Sequence, residues 1–134
     1  MKKLFILLCF TFFLNSCSDY NECTESLAGI YDAQILGVSG QFVLAVSIDK
    51  NDDIYIDSEW YDGIWTVIEA DTDGCADYNN DAYGEVEIDI KSQEIADDIE
   101  ISGSGFYYDY SMQIDYKIKD NGNIKKYTLV ASKR

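Results

Sequence analysis

Histidine is absent from the 134 residues. Without imidazole there can be no Ser-His-Asp or Cys-His nucleophile and no histidine-bound zinc, which removes much of hydrolase chemistry. Basic residues are scarce as well: 10 lysines and arginines stand against 25 acids, for a formal charge of −15. Such a field repels nucleic acid, anionic lipid surfaces and acidic glycans and keeps a domain soluble and monomeric, so no nucleic-acid partner is expected. No P-loop, dinucleotide fingerprint or nucleophile elbow occurs. Carboxylate pairs for glycoside hydrolysis exist among so many acids, but nothing selects one, and no enzymatic activity is expected. Long apolar runs are missing too. The only substantial one, Leu4 to Leu14, is eleven residues broken by Thr11, and a helix needs about 20 to cross a bilayer.

That run follows Met1-Lys2-Lys3, and a positive start before a short apolar stretch is a secretory signal. It ends Leu14-Asn15-Ser16-Cys17, which resembles the lipobox of bacterial lipoproteins. The resemblance implies cleavage before Cys17 and acylation of its thiol; two or more acyl chains hold a protein stably at a membrane, where one does so marginally. The alternative is an ordinary secreted protein with a cysteine at the boundary. The organisation expected is a signal peptide over 1–16, a lipidated tether over 17–27 and a β-domain over 28–134. Removing 16 residues from 134 leaves 118, the size of one domain, and removing Lys2 and Lys3 takes its charge to −17. Ser18-Asp19-Tyr20-Asn21-Glu22 looks like the acidic export signal of some surface lipoproteins, which implies an outer-membrane, cell-surface location.

Cys9 leaves with the leader and Cys17 is the acylation site, so Cys23 and Cys75 remain as an even pair. A disulfide between them is expected; closing a loop of about 50 residues stabilises by roughly 4 kcal/mol in the chain-entropy model.

Strict apolar–polar alternation dominates the rest, the mark of half-buried strands. It is clearest from Phe106 to Ile118, where Phe106, Tyr108, Tyr110, Met112, Ile114, Tyr116 and Ile118 share one parity. Eight strands are predicted, near 28–38, 41–49, 53–61, 64–70, 83–91, 94–102, 105–118 and 124–132. Turn chemistry lies between them at Gly37 to Gly40, Asp49 to Asp52, Asp62-Gly63, Ser92-Gln93, Ser102 to Ser104 and Asp120-Asn121-Gly122. Short links force antiparallel pairing of successive strands, an all-β up-and-down meander that closes as a barrel or folds over as a sandwich. The 14-residue seventh strand would be about 47 Å long if straight, so it must coil, which favours the barrel.

The chain is similar to lipocalin-like lipoproteins in its tethered eight-stranded meander, its opening Gly29-Ile30-Tyr31 and its glycine-serine turn before a long aromatic strand. Tyr31 stands where lipocalins carry tryptophan, and Lys125 or Lys126 where they carry a basic residue late in the last strand. The resemblance implies a barrel able to hold a small apolar ligand.

With Asp62-Gly63 as a two-residue turn, Trp60 and Trp65 face each other on one side of the sheet, as sheet glue or as a stacking platform for a sugar-like ligand. Trp60, Trp65, Phe106, Tyr108, Tyr110 and Met112 are the ligand-binding candidates. The loop Asp71 to Asp81 reads first as a solvated acidic loop, and its Asp71, Asp73, Asp77 and Asp81, spaced as calcium loops often are, make a calcium site the lesser alternative; Asp49, Asn51 and Asp53 are a poorer second set. Charge is uneven: residues 17–116 hold 24 acids against Lys50 and Lys91, and 117–134 hold six basic residues against Asp120. That basic hairpin either offsets acids on neighbouring strands or forms a docking edge for an acidic partner. Two functions follow as expectations. One is a lipid-anchored module binding a small apolar or sugar-like ligand; the other is a surface interaction lipoprotein with a solid barrel.

Overall fold

A computed structural model describes residues 26–51, 53–74 and 85–134. Eight antiparallel strands succeed one another as a closed up-and-down barrel: β1 (Gly29–Ile35), β2 (Phe42–Ile48), β3 (Ile54–Tyr61), β4 (Ile64–Gly74), β5 (Val86–Ala96), β6 (Ile99–Tyr108), β7 (Ser111–Asp120) and β8 (Asn123–Lys133). Closure comes from β1 on β8, with Tyr31 opposite Lys133 and Ile35 opposite Leu129, so the sandwich alternative is set aside. Asp62-Gly63 and Asn121-Gly122 are the turns predicted, each with both residues at positive φ as a tight hairpin requires.

Two turn positions differ from those predicted. Ser92-Gln93 lies inside β5 and Ser102 to Ser104 inside β6, whereas the chain reverses at Asp97-Asp98 and Asp109-Tyr110. The predicted 14-residue strand is therefore two strands. Its aromatic parity fails at the hairpin, because Tyr107 pairs with Met112 and Tyr108 with Ser111. Inward positions are thus odd before the turn and even after it. Tyr107 is buried, while Phe106, Tyr108 and Tyr110 point outward.

The glycines read as a turn serve close approach instead. A Cβ on Gly103 or Gly105 would fall under 3.0 Å from the β7 backbone at Asp115, Tyr116, Gln113 or Ile114. These glycines let β6 and β7 curl together at a barrel corner.

Inward side chains form one core. Leu27, Tyr31, Leu44, Ile54, Ile56, Trp60, Ile68, Ile101, Ile114, Ile118 and Leu129 have no solvent-accessible surface, so no water-sized space adjoins them. Eight strands enclose an interior that side chains just fill. At the end where β1 begins, Leu27 plugs the barrel. The Tyr31 hydroxyl donates to the Leu27 carbonyl at 2.6 Å, and the Tyr107 hydroxyl and Lys133 Nζ donate to the Ser26 carbonyl. Lys133, not Lys125 or Lys126, is the basic residue that faces Tyr31. The opposite end carries Tyr61, whose hydroxyl donates to Asp120 Oδ2 at 3.0 Å and accepts from Lys125 Nζ at 2.9 Å. Tyr127 stacks on Tyr116 beside it, with centroids 5.5 Å apart.

Candidate binding surface on the barrel wall

Trp60 and Trp65 do not face each other. The β3–β4 register shifts between Glu59 and Tyr61, so Trp65 lies opposite Glu59 and Trp60 becomes the bulged residue. A bulge lets consecutive side chains turn the same way, and both Trp60 and Tyr61 are buried. Trp60 donates its indole N–H to the Thr66 carbonyl at 3.1 Å and meets Tyr116 edge to face at 5.4 Å. Trp65 is 52% exposed, with its ring edge to face against that of Phe42 at 5.9 Å. Of the six ligand candidates, then, Trp60 and Met112 are core, and Trp65, Phe106, Tyr108 and Tyr110 are on the wall.

The barrel brings Phe106 and Tyr108 to a groove of about 500 Å³ on the outer face of β6, β7, β8 and β1. Cross-strand register builds it in two rows. One runs Tyr108, Ser111, Ser132, Asp32 and the other Phe106, Gln113, Val130, Gln34. Serines in the middle keep the floor low, the aromatic side chains wall one side, and Gln34 with Gln41 from the β1–β2 connection wall the other. Asp32 is held by Arg134, whose Nη2 lies 2.8 Å from Oδ1. The groove thus offers two aromatic rings, three amides, three hydroxyls and the carboxylates of Asp32 and Asp109 around a shallow trough. Tyr110 sits outside it, at the tip of the β6–β7 turn.

Farther along the same face lies a second groove of about 550 Å³, lined by Leu36, Ser102, Asp115, Lys117, Lys126 and Thr128 among others. Lys117 stands directly opposite Lys126. Both are exposed, and neither forms an ion pair among the described residues. The basic hairpin therefore does not neutralise neighbouring acids at this pair. The sequence pointed to the basic hairpin as a whole, and to Lys126 only as a counterpart of the lipocalin basic residue, without setting it against Lys117, although their pairing follows from the Asn121-Gly122 turn.

Carboxylates gather on other walls. Lys91 Nζ lies 2.9 Å from Asp71 Oδ2 and holds its carboxyl below the usual range, while burial and the charge of Asp49 push Asp53 up. Asp49 accepts from the backbone N–H of Asn51 and Asp53 and from the Tyr55 hydroxyl, as the cap of a turn. Asp71 and Asp73 lie at the end of β4, and Asp77 and Asp81 fall outside the described residues, as do Cys17, Cys23 and Cys75. Among the described residues no three acids, cysteines or histidines come close enough to hold a metal ion.

Compared with protein-family models, curated proteins and solved structures, the chain matches none.

Proposed function

We propose that this chain is a lipid-anchored, non-enzymatic recognition domain of lipocalin-like form that binds a sugar-like ligand on its outer wall rather than in its lumen. One observation carries the reading: the described inward side chains are nearly all buried, most of them with no accessible surface, while Phe106 and Tyr108 wall an open groove furnished with amides and hydroxyls. A sugar ring presents an apolar C–H face and a rim of hydroxyls. Aromatic rings answer the first and planar amides the second. The volume is also in the range of small-molecule sites, about 300–1,000 Å³.

The anchor fits the same reading. The chain joins the barrel at Ser26, on the plugged end, so a tether from acylated Cys17 would hold that end within roughly 30 Å of the bilayer at full extension. The groove then runs outward along the wall. No cofactor is needed for this role.

The test is calorimetry and NMR shift mapping on the detergent-purified full protein with neutral oligosaccharides. Binding should map to Phe106, Tyr108, Gln113 and Gln34, weaken about tenfold in Tyr108→Ala, and survive in Trp65→Ala. Shifts confined to inward residues, or no saturable binding, would overturn the reading. A protein-binding role is favoured by a different patch, the exposed Ile30, Val43, Trp65 and Val67 on β1 to β4. Loss of a partner in Trp65→Ala, with Tyr108→Ala silent, would support it instead.

A further inference from the structure

Resting on that groove, the wall also suggests which saccharides it takes. We infer that the outer face of β6, β7 and β8 is one continuous channel whose far end, at Lys117 and Lys126, receives a carboxylate or sulfate carried by the same oligosaccharide.

Register gives the layout. From the row of Phe106 and Gln113, the next outward row is Ser104, Asp115 and Thr128, and the next is Ser102, Lys117 and Lys126. Two rows at about 6.8 Å each put the lysines roughly 14 Å along the strands from the aromatic wall, a span that a short oligosaccharide covers. Between the two, Asp115 is engaged by the Thr128 hydroxyl at 2.7 Å, so the middle of the channel offers acceptors to neutral hydroxyls and the anion lands beyond it.

The lysine pair is itself unexpected. Like charges directly opposite on a sheet destabilise it, and this chain has 25 acids with which to neutralise ten basic residues. The fold nevertheless sets two of those basic residues side by side without a carboxylate partner, flanked by the hydroxyls of Ser102 and Thr128 and by the exposed Leu36. Two ammonium groups and nearby hydroxyls match an anionic substituent. Asp115 lines the same groove one row from the lysines, with its carboxylate engaged by the Thr128 hydroxyl, while the fields of more distant exposed charges are screened within about 8 Å at physiological ionic strength.

The experiment measures affinities of the detergent-purified full protein for hexamers of galacturonate, hyaluronate and a sulfated glycosaminoglycan. Methyl-esterified galacturonan and maltohexaose serve as neutral controls and hexaglutamate as the acidic peptide. At least one acidic saccharide should bind about tenfold more tightly than its neutral counterpart, and more weakly as salt rises. Lys117→Gln with Lys126→Gln should erase that advantage while leaving binding of the neutral chain unchanged, and should not lower Tm. Neutral and acidic saccharides binding alike, or an advantage indifferent to the two lysines, would overturn the inference while the groove stands. Tighter binding of hexaglutamate would also overturn it, in favour of an acidic protein partner. Binding by no saccharide at all would sink the groove reading with it.

Discussion

Trp60 and Trp65 belong to one hairpin and experience opposite environments. Trp60 is enclosed, with its N–H satisfied by Thr66 and its ring against Tyr116. Its replacement by alanine should cost about 3–5 kcal/mol. Trp65→Ala should cost under about 1 kcal/mol, since it loses only the ring contact with Phe42. Urea unfolding of the two variants checks the difference, and acrylamide should quench the Trp65 emission and spare that of Trp60. The buried tyrosines give a pH signature. Burial raises the phenols of Tyr31 and Tyr116 above their ordinary 10.0, with Tyr107 and Tyr127 as lesser contributors. Above that value the unfolded chain has released protons that the fold retains, so stability is intact below it and falls as pH rises past it. Absorbance at alkaline pH should show exposed tyrosines ionising first, with Tyr31 and Tyr116 ionising only together with loss of the barrel. Ionisation of all tyrosines in one step without unfolding would contradict their burial.

Among the elements, the β6–β7 hairpin decides which side chains face the outer groove. The barrel's eight strands were legible from alternation, and the turns at Asp62-Gly63 and Asn121-Gly122 because tight hairpins demand positive φ and these residue types supply it. The turn at Asp109-Tyr110 was not. Tyr110 adopts φ 63, a conformation that tyrosine does not advertise, while Gly103 and Gly105 advertised a turn and instead accommodate a neighbouring backbone. That one misplacement inverted the parity of Phe106 and Tyr108, and so moved the candidate site from lumen to wall. The bulge at Trp60 was equally invisible, since alternation alone gives no sign of two successive inward residues. A direct check is Gly105→Ala, where the added methyl would collide with the Gln113 carbonyl and Ile114. Overpacking of this kind costs about 1–3 kcal/mol, so thermal melts should show Gly105→Ala well below the parent protein; an unchanged midpoint would show that the two strands can part to admit the methyl.

At the scale of the molecule, the chain enters the barrel at its plugged end. Leu27 is fully buried, and Tyr31, Tyr107 and Lys133 bind the turn before β1. Leu27→Ala should therefore destabilise the whole barrel by about 2–5 kcal/mol rather than merely loosen a terminus; a denaturant midpoint unchanged from the parent would show the plug to be dispensable. Cys17→Ser should shift the protein from the membrane fraction to the soluble one, and retention of the intact leader on the parent protein would remove the anchor from the argument. Ring closure has a further effect on how this molecule can meet others. β7, at the centre of the wall that carries the grooves, is laddered to β6 and β8 along its whole length, so it offers no row of unpaired amides and carbonyls for a visiting strand to extend. Whatever docks here must be read by side-chain chemistry, and point substitutions on the wall are then sufficient to abolish or redirect it.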